Sequence, residues 1–321
     1  MKKVLVTGGS GFLGAGLVRA LVRRGYQVRV FDNNFRGRER RLESVRKDIE
    51  FVDGDIRDGV AVEKATQGME WVFHLAFVNG TRYFYEQPWF VLDVGVRGAL
   101  TTMDAAKRCG VERYIVASSS EVYQEPTRVP TDESERAIIP DVANPRFSYS
   151  GGKLITELLT MHYLRAEECA RIIFRPHNIY GPDMGWEHVV PEFMLRVRNL
   201  APGAKDGRAQ FPLQGTGKET RAFCYVEDAA DGIILSAEKG DDGKIYHIGV
   251  DEETEIGDIA RRIGRIAGLE LDLVPKALLA GSTSRRCPDI TRMRQLGYSP
   301  RVSLDEGLRR AWEYYSTAAV G

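Results

Sequence analysis

Cysteine is scarce: Cys109, Cys169, Cys224 and Cys287 lie far apart, with neither a CxxC pair nor the density of a disulfide framework. That excludes a disulfide-stapled fold and predicts reduced, mostly structural thiols. An excess of charge of one sign is missing too, because 45 lysines and arginines balance 45 aspartates and glutamates. Without a long-range field, nothing recommends a nucleic acid or an anionic membrane as partner. No apolar run approaches the ~20 residues that span a bilayer. Met1-Lys2-Lys3 leads straight into a strand pattern rather than a signal peptide, so a soluble cytoplasmic protein is expected. The histidines, His74, His162, His177, His188 and His247, lack ligand spacing with cysteines or carboxylates, and no metal is expected. Repeats and low-complexity tracts are absent as well.

Glycine, in contrast, is concentrated where the chain begins. In KVLVTGGSGFLG, residues 3–14, Val4, Leu5 and Val6 predict a short buried strand and Thr7 to Gly14 a tight turn. The next residues predict an amphipathic helix, with Leu13, Leu17, Ala20 and Leu21 at helical spacing and Gly25 at its end. Such a turn lets backbone N–H groups and the positive end of a helix meet a diphosphate. The letters fit both Gly8-Gly11-Gly14 and Gly9-Gly11-Gly14, so the register stays open. Tyr26 to Phe31 predicts a second strand that closes on Asp32, about 20 positions after the glycines, where a carboxylate accepts hydrogen bonds from an adenosine ribose. Arg36, Arg38, Arg40 and Arg41 follow closely and could contact the 2′-phosphate of NADP. Asp32 would repel that phosphate, and NAD is the expected cofactor.

Strand-like segments recur at Ile49 to Val52, Trp71 to Leu75, Arg113 to Ala117 and Arg171 to Phe174, separated by helical or loop stretches. This alternation predicts an α/β fold with a parallel sheet covered on both faces. After Arg175 the composition shifts to proline- and glycine-bearing loops with short helices. The expected organisation is a dinucleotide-binding domain over 1–176 and a smaller substrate-binding lobe, mainly 177–321. Helix-like Tyr225 to Ala237 and strand-like Lys244 to Gly249 suggest that the chain returns to the first domain near 223–249.

Chemistry enters at Tyr149 and Lys153 in FSYSGGK, which one helical turn would place on the same face. A cation beside a phenol favours phenolate, and the phenolate can take the proton from a sugar hydroxyl as hydride leaves for the cofactor. Upstream, VASSSEVY ends a predicted strand in three serines and Glu121. Ser119 could donate to the same sugar oxygen. Glu121, two residues before Tyr123 on a strand end, should project to the face of Ser119 and supply acid or base chemistry at another carbon.

Taken together, these stretches make the chain resemble the extended short-chain dehydrogenase/reductases, specifically the NAD-dependent nucleotide-sugar epimerases and dehydratases. The resemblance runs through TGGSGFLG, FDN, GDIRD, HLA, SSSEVY, YSGGK, RPHNIYGP, TRAFCYVED and RRCPDITR, covering nearly the whole chain. It implies a Rossmann domain with a smaller carboxyl-terminal sugar-nucleotide lobe, and Ser119, Tyr149 and Lys153 as the catalytic trio. It implies that Gly8, Gly11, Phe12, Leu13, Gly14, Asp32, Asn33, Leu75 and Ala76 contact NAD, that Asp55 and Ile56 flank the adenine, and that His177 lies in the loop passing the nicotinamide. Asn178, Arg221 and Arg286 match positions that hold the nucleotide diphosphate of the substrate. It also implies a homodimer through the helices carrying Phe90 to Lys107 and Tyr149 to Leu164.

The chain departs from the family pattern at Gly95, where asparagine is usual, at Phe77, where HLAF replaces HLAA, and at Gln124, where glycine usually follows Val-Tyr. The reaction is read as epimerisation of a nucleotide sugar through a transient 4-keto sugar, with NAD regenerated. Decarboxylation of the UDP-glucuronate type is the alternative, because those enzymes share the SEVY and RAF-YV-D stretches. A 4,6-dehydratase would carry an Asp-Glu pair before Val-Tyr, and Ser120 occupies the Asp place. Epimerases acting at C3 or C5 use a second acid/base, for which His188 is the candidate. A non-catalytic NAD-binding regulator would be expected to lose the tyrosine and lysine pair that this chain keeps.

Overall fold

The computed structural model describes residues 1–277 and 283–319. Its centre is a seven-stranded sheet of β1 (Lys3–Thr7), β2 (Gln27–Asp32), β3 (Ile49–Asp53), β4 (Trp71–His74), β5 (Arg113–Ala117), β6 (Ala170–Pro176) and a late strand, Lys244–Ile248. Every pairing in it is parallel, with Val4 opposite Val28 on one side of β1 and Trp71 on the other. The order runs from Lys244–Ile248 through β6, β5, β4, β1 and β2 to β3. Strand order therefore reverses between β1 and β4, which opens a crevice at their carboxyl ends.

Both faces of β1 are buried, the signature of a sheet covered by helices on each side. Val4 and Val6 pack with Leu17, Val18 and Leu21 of α1 (Phe12–Arg23), whereas Leu5 packs with Val62, Ala99 and Met103 on the opposite face. The Val226–Lys239 helix lies on α1 at such close range that a Cβ on Gly16 would fall 2.7 Å from Val226 Cγ2. This helix, with the strand that follows it, carries the chain back to the sheet after the second lobe has begun.

The smaller lobe combines a parallel pair, Arg208–Gln214 with Glu270–Lys276, and a three-stranded sheet of Thr254–Glu255, Thr220–Arg221 and Arg285–Arg286. The Val189–Leu200, Ile256–Ile266 and Leu304–Tyr315 helices bury Val197, Ile259, Ile263 and Leu308 behind these strands. All four cysteines are free thiols. Among the described residues no helix is long and apolar enough to cross a membrane.

Candidate active site

The crevice holds two adjoining hollows, one of about 110 Å³ at the β2 end and one of about 810 Å³ facing the smaller lobe. Both begin at the glycine turn. Gly8 has φ +73°, donates its N–H to Phe31 O at 3.0 Å and accepts from Gly11 N at 3.1 Å. A Cβ on Gly8 would meet Ala76 N at 2.7 Å, and one on Gly14 would stand 2.1 Å from Gly8 O. Gly8-Gly11-Gly14 is therefore the register that lines the crevice, while Gly9 packs inward against Val30. Asp32 accepts from Ser10 N at 3.0 Å and Asn34 N at 2.9 Å. Each of its oxygens keeps a lone pair for a further donor.

Asp32, Asn33, Asp55 and Ile56 surround the smaller hollow, Leu75 and Ala76 form its floor, and Phe12, Leu13 and Gly14 line the larger one. A cradle that any Cβ would fill, a carboxylate at the ribose position and a narrow apolar slot suit NAD. Within the basic cluster, Arg40 and Arg41 bind Asp183, whereas Arg36, which lies over the Tyr83 ring, and Arg38 line the cleft.

At the far end of the cleft stand Ser119, Tyr149 and Lys153. Tyr149 and Lys153 rise from one face of the Ser148–His162 helix, and Lys153 Nζ donates to Ala117 O at 2.7 Å, which ties the helix to the end of β5. Burial pushes the Tyr149 phenol up to about 12, against a hydrogen bond from Ser119 that lowers it. Burial pulls Lys153 down to about 7. Desolvation thus outweighs the mutual stabilisation expected of an ammonium beside a phenol. The Tyr149 ring is stacked on Phe84 at 5.0 Å and meets Phe77 edge-on at 5.3 Å.

Glu121 is not on a strand end. Ser119 Oγ accepts from Glu121 N at 3.1 Å and starts the 3-10 turn Ser120–Tyr123, so alternation along a strand does not orient the carboxylate. It nevertheless faces the cleft, because Arg286 reaches it across the crevice at 2.5 Å. Burial raises the Glu121 carboxyl, and the charge and hydrogen bond of Arg286 overcome this and hold it below its ordinary value. The turn closes at Gln124, whose φ of +53° belongs to a glycine-favouring region; its amide bonds Glu121 O at 2.6 Å and Ser150 Oγ at 3.0 Å.

Two expected contacts are absent from the cleft lining. His177 is buried with its ring 4.6 Å from that of His247 and, among the described residues, neither nitrogen bonded, and burial drives its pKa well down. Its motif neighbours Pro176 and Asn178 line the cleft instead. Arg221 donates to Thr220 O at 2.7 Å and Thr283 O at 2.6 Å, so its guanidinium is held by backbone carbonyls. Asn178, His188 and Arg286 do line the larger hollow. Residues not anticipated there include Phe35, Phe84, Arg146 and Trp186. The aromatic run TRYFYEQPWF was a signal for Phe84; Arg146, just ahead of FSYSGGK, had none beyond its proximity.

A family model described as "NAD dependent epimerase/dehydratase family" matches residues 4–249. A UDP-N-acetyl-alpha-D-glucosaminuronate decarboxylase of Bacillus cytotoxicus is 29% identical, over 98% of this chain and 98% of that protein. UDP-glucuronic acid decarboxylase 1 of Xenopus tropicalis is 30% identical over 98% of this chain and 72% of its own length. Among solved structures, the UDP-glucose 4-epimerase of Thermotoga maritima with UDP-glucose superposes with a TM-score of 0.84 at 28% identity, covering 98% of each chain.

Proposed function

The chain belongs to the NAD-dependent epimerase/dehydratase family and uses NAD, and from that premise we propose that it decarboxylates a nucleotide-linked uronic acid. The observation that carries this reading is Arg286, whose guanidinium enters the cleft from the smaller lobe beside Glu121, with Tyr149, Lys153 and Arg146 in the same lining. A planar fork of N–H donors matches a carboxylate, and this reading gives Arg286 the sugar carboxylate rather than the diphosphate that the resemblance implies. Similarity to two decarboxylases over 98% of this chain supports it.

When bound, NAD supplies a hydride acceptor and donor at C4 of the sugar. Tyr149 takes the C4 hydroxyl proton, Ser119 donates to the same oxygen, and Lys153 holds the phenol's charge. Once C4 is a ketone, the C6 carboxylate is part of a β-keto acid. Its C5–C6 bond breaks, carbon dioxide leaves, and the electron pair passes into the C4–C5 enolate. Arg286 orients that carboxylate, and C5 then takes a proton supplied by solvent, since Glu121 is held as a carboxylate by Arg286. Tyr149 returns its proton as C4 is reduced.

The first expectation from the sequence is epimerisation through a transient 4-keto sugar with no carbon named; at C4 it requires the ketose to turn over and present its other face. A carboxylate held by Arg286 would resist that rotation. Dehydration needs an acid that Ser120 does not supply. The same reading retains a homodimer, with Ile155 and Leu158 exposed on the outer face of the Tyr149 helix.

Incubation with NAD and a panel of UDP-linked uronic acids and neutral hexoses tests the proposal by mass spectrometry and NMR. Loss of carbon dioxide from a uronic acid, giving a pentose or its acetamido equivalent, is expected. Turnover of a neutral hexose at unchanged mass, with uronic acids untouched, would overturn it.

A further inference from the structure

Two departures from the family pattern, Phe77 and Gly95, occupy one space. A Cβ on Gly95 would stand 2.2 Å from Phe77 Cζ, and one on Gly152 would stand 2.9 Å from the same atom. The ring is wedged between these two glycines, and its face lies 4.1 Å, centroid to Nζ, from the Lys153 ammonium. Its edge meets Tyr149. Lys153 is 4% exposed, and among the described residues its one hydrogen-bond acceptor is Ala117 O. No carboxylate there forms an ion pair with it. A buried cation so poorly supplied with acceptors gains most from an aromatic face, whose negative quadrupole attracts it in the absence of competing water.

We infer that Phe77 is a positioning residue whose ring face seats the Lys153 ammonium beneath Tyr149, and that Gly95 supplies the space which admits that ring. The pair acts as a unit. A side chain at position 95 and an aromatic ring at 77 exclude each other, so the lysine is steadied by a π face where a polar side chain would otherwise stand. The other titratable groups around Lys153 are Tyr149 and Glu157 on its own helix and His74 at the end of β4. Ring and ammonium attract only while the lysine is protonated; loss of the ring therefore favours the free amine.

The test follows Lys153 itself in holoenzyme labelled with 13C-lysine, the resonance assigned by its loss in Lys153→Met. Phe77→Leu keeps apolar bulk and removes the π face. It should lower the pH at which Lys153 titrates by about one unit and reduce kcat at saturating NAD about tenfold with little change in the KM for the sugar. Gly95→Asn alone should fold poorly, whereas Phe77→Ala/Gly95→Asn should recover soluble protein and bring the Lys153 titration back toward that of the parent. An unchanged Lys153 titration in Phe77→Leu would overturn the role of the ring, and a fully stable Gly95→Asn single variant would overturn the coupling. The kcat readout rests on the decarboxylase reading; the NMR titration needs no sugar substrate, so the two fail separately.

Discussion

Tyr149 illustrates how packing and charge divide the work at a single residue. Phe84 and Phe77 enclose its ring and keep water away, which by itself makes the phenol a poorer acid. In the mechanism proposed above, the group that makes proton removal feasible is Lys153, held one turn along the same helix by Ala117 O. Tyr149→Phe retains the ring, both aromatic contacts and the helix, and removes only the hydroxyl. Turnover should fall by about 10²-fold or more, the scale of general acid–base catalysis, while NAD binding stays within about twofold. Steady-state rates beside a fluorescence titration of NAD check this. Near-parental turnover would remove Tyr149 from the mechanism.

Among the elements, the glycine turn and α1 are the most tightly specified by sequence. Gly14→Ala would drive a methyl group to 2.1 Å from Gly8 O, a backbone atom that cannot swing aside. Overpacking of this kind costs about 1–3 kcal/mol or more. It should also lift α1 from the turn, weakening NAD binding at least about tenfold with a measurable fall in Tm; calorimetry that finds both unchanged would contradict this account. This element was legible because KVLVTGGSGFLG joins a buried strand, obligatory glycines and a periodic helix within a few residues. Boundaries slipped slightly: β2 is Gln27–Asp32 rather than Tyr26–Phe31, and the returning helix is Val226–Lys239 rather than Tyr225 to Ala237. Glu121 faces the cleft as expected, but not by strand alternation, because a serine hydroxyl captures its N–H and ends the extended chain. Strand pairs such as Thr220–Arg221 with Arg285–Arg286 are too short for any period, and contacts between residues distant in the chain set them. The fit of Phe77 to Gly95 was invisible for the same reason. Each looked like an isolated departure until the helix carrying Gly95 was placed against the end of β4.

Across the whole molecule, the two lobes meet through charge on both sides of the cleft. Glu121 and Arg286 join them beside the reacting centre, and Arg40 and Arg41 join them beside the glycine turn through Asp183. Arg41 is the central tie. Its side chain is 9% exposed, and its guanidinium donates to Asp183 O at 2.7 and 3.1 Å and to Ser10 O at 3.2 Å, so one planar group spans the glycine turn and the 181–184 loop. The C-terminal helix holds that loop from behind, with Tyr315 Oη accepting from Met184 N at 2.7 Å and donating to Gly181 O at 3.2 Å. Burial lowers the Arg41 pKa, and the adjacent Asp183 carboxylate acts in the opposite direction. Removal of the guanidinium should loosen the turn and the smaller lobe together, without touching Tyr149, Lys153 or Arg286. Arg41→Ala is therefore expected to weaken NAD binding about tenfold, as lost hydrogen bonds to a charged group would, and to leave kcat at saturating NAD within about threefold. Arg41→Lys preserves the charge but not the fork, and a single ammonium cannot reach both carbonyls in the same way. It should fall between parent and alanine variant in NAD affinity and in Tm. Equal affinity in all three would mean that the lobes are held by their apolar packing alone, and that the basic cluster after Asp32 has no part in shaping the cofactor cleft.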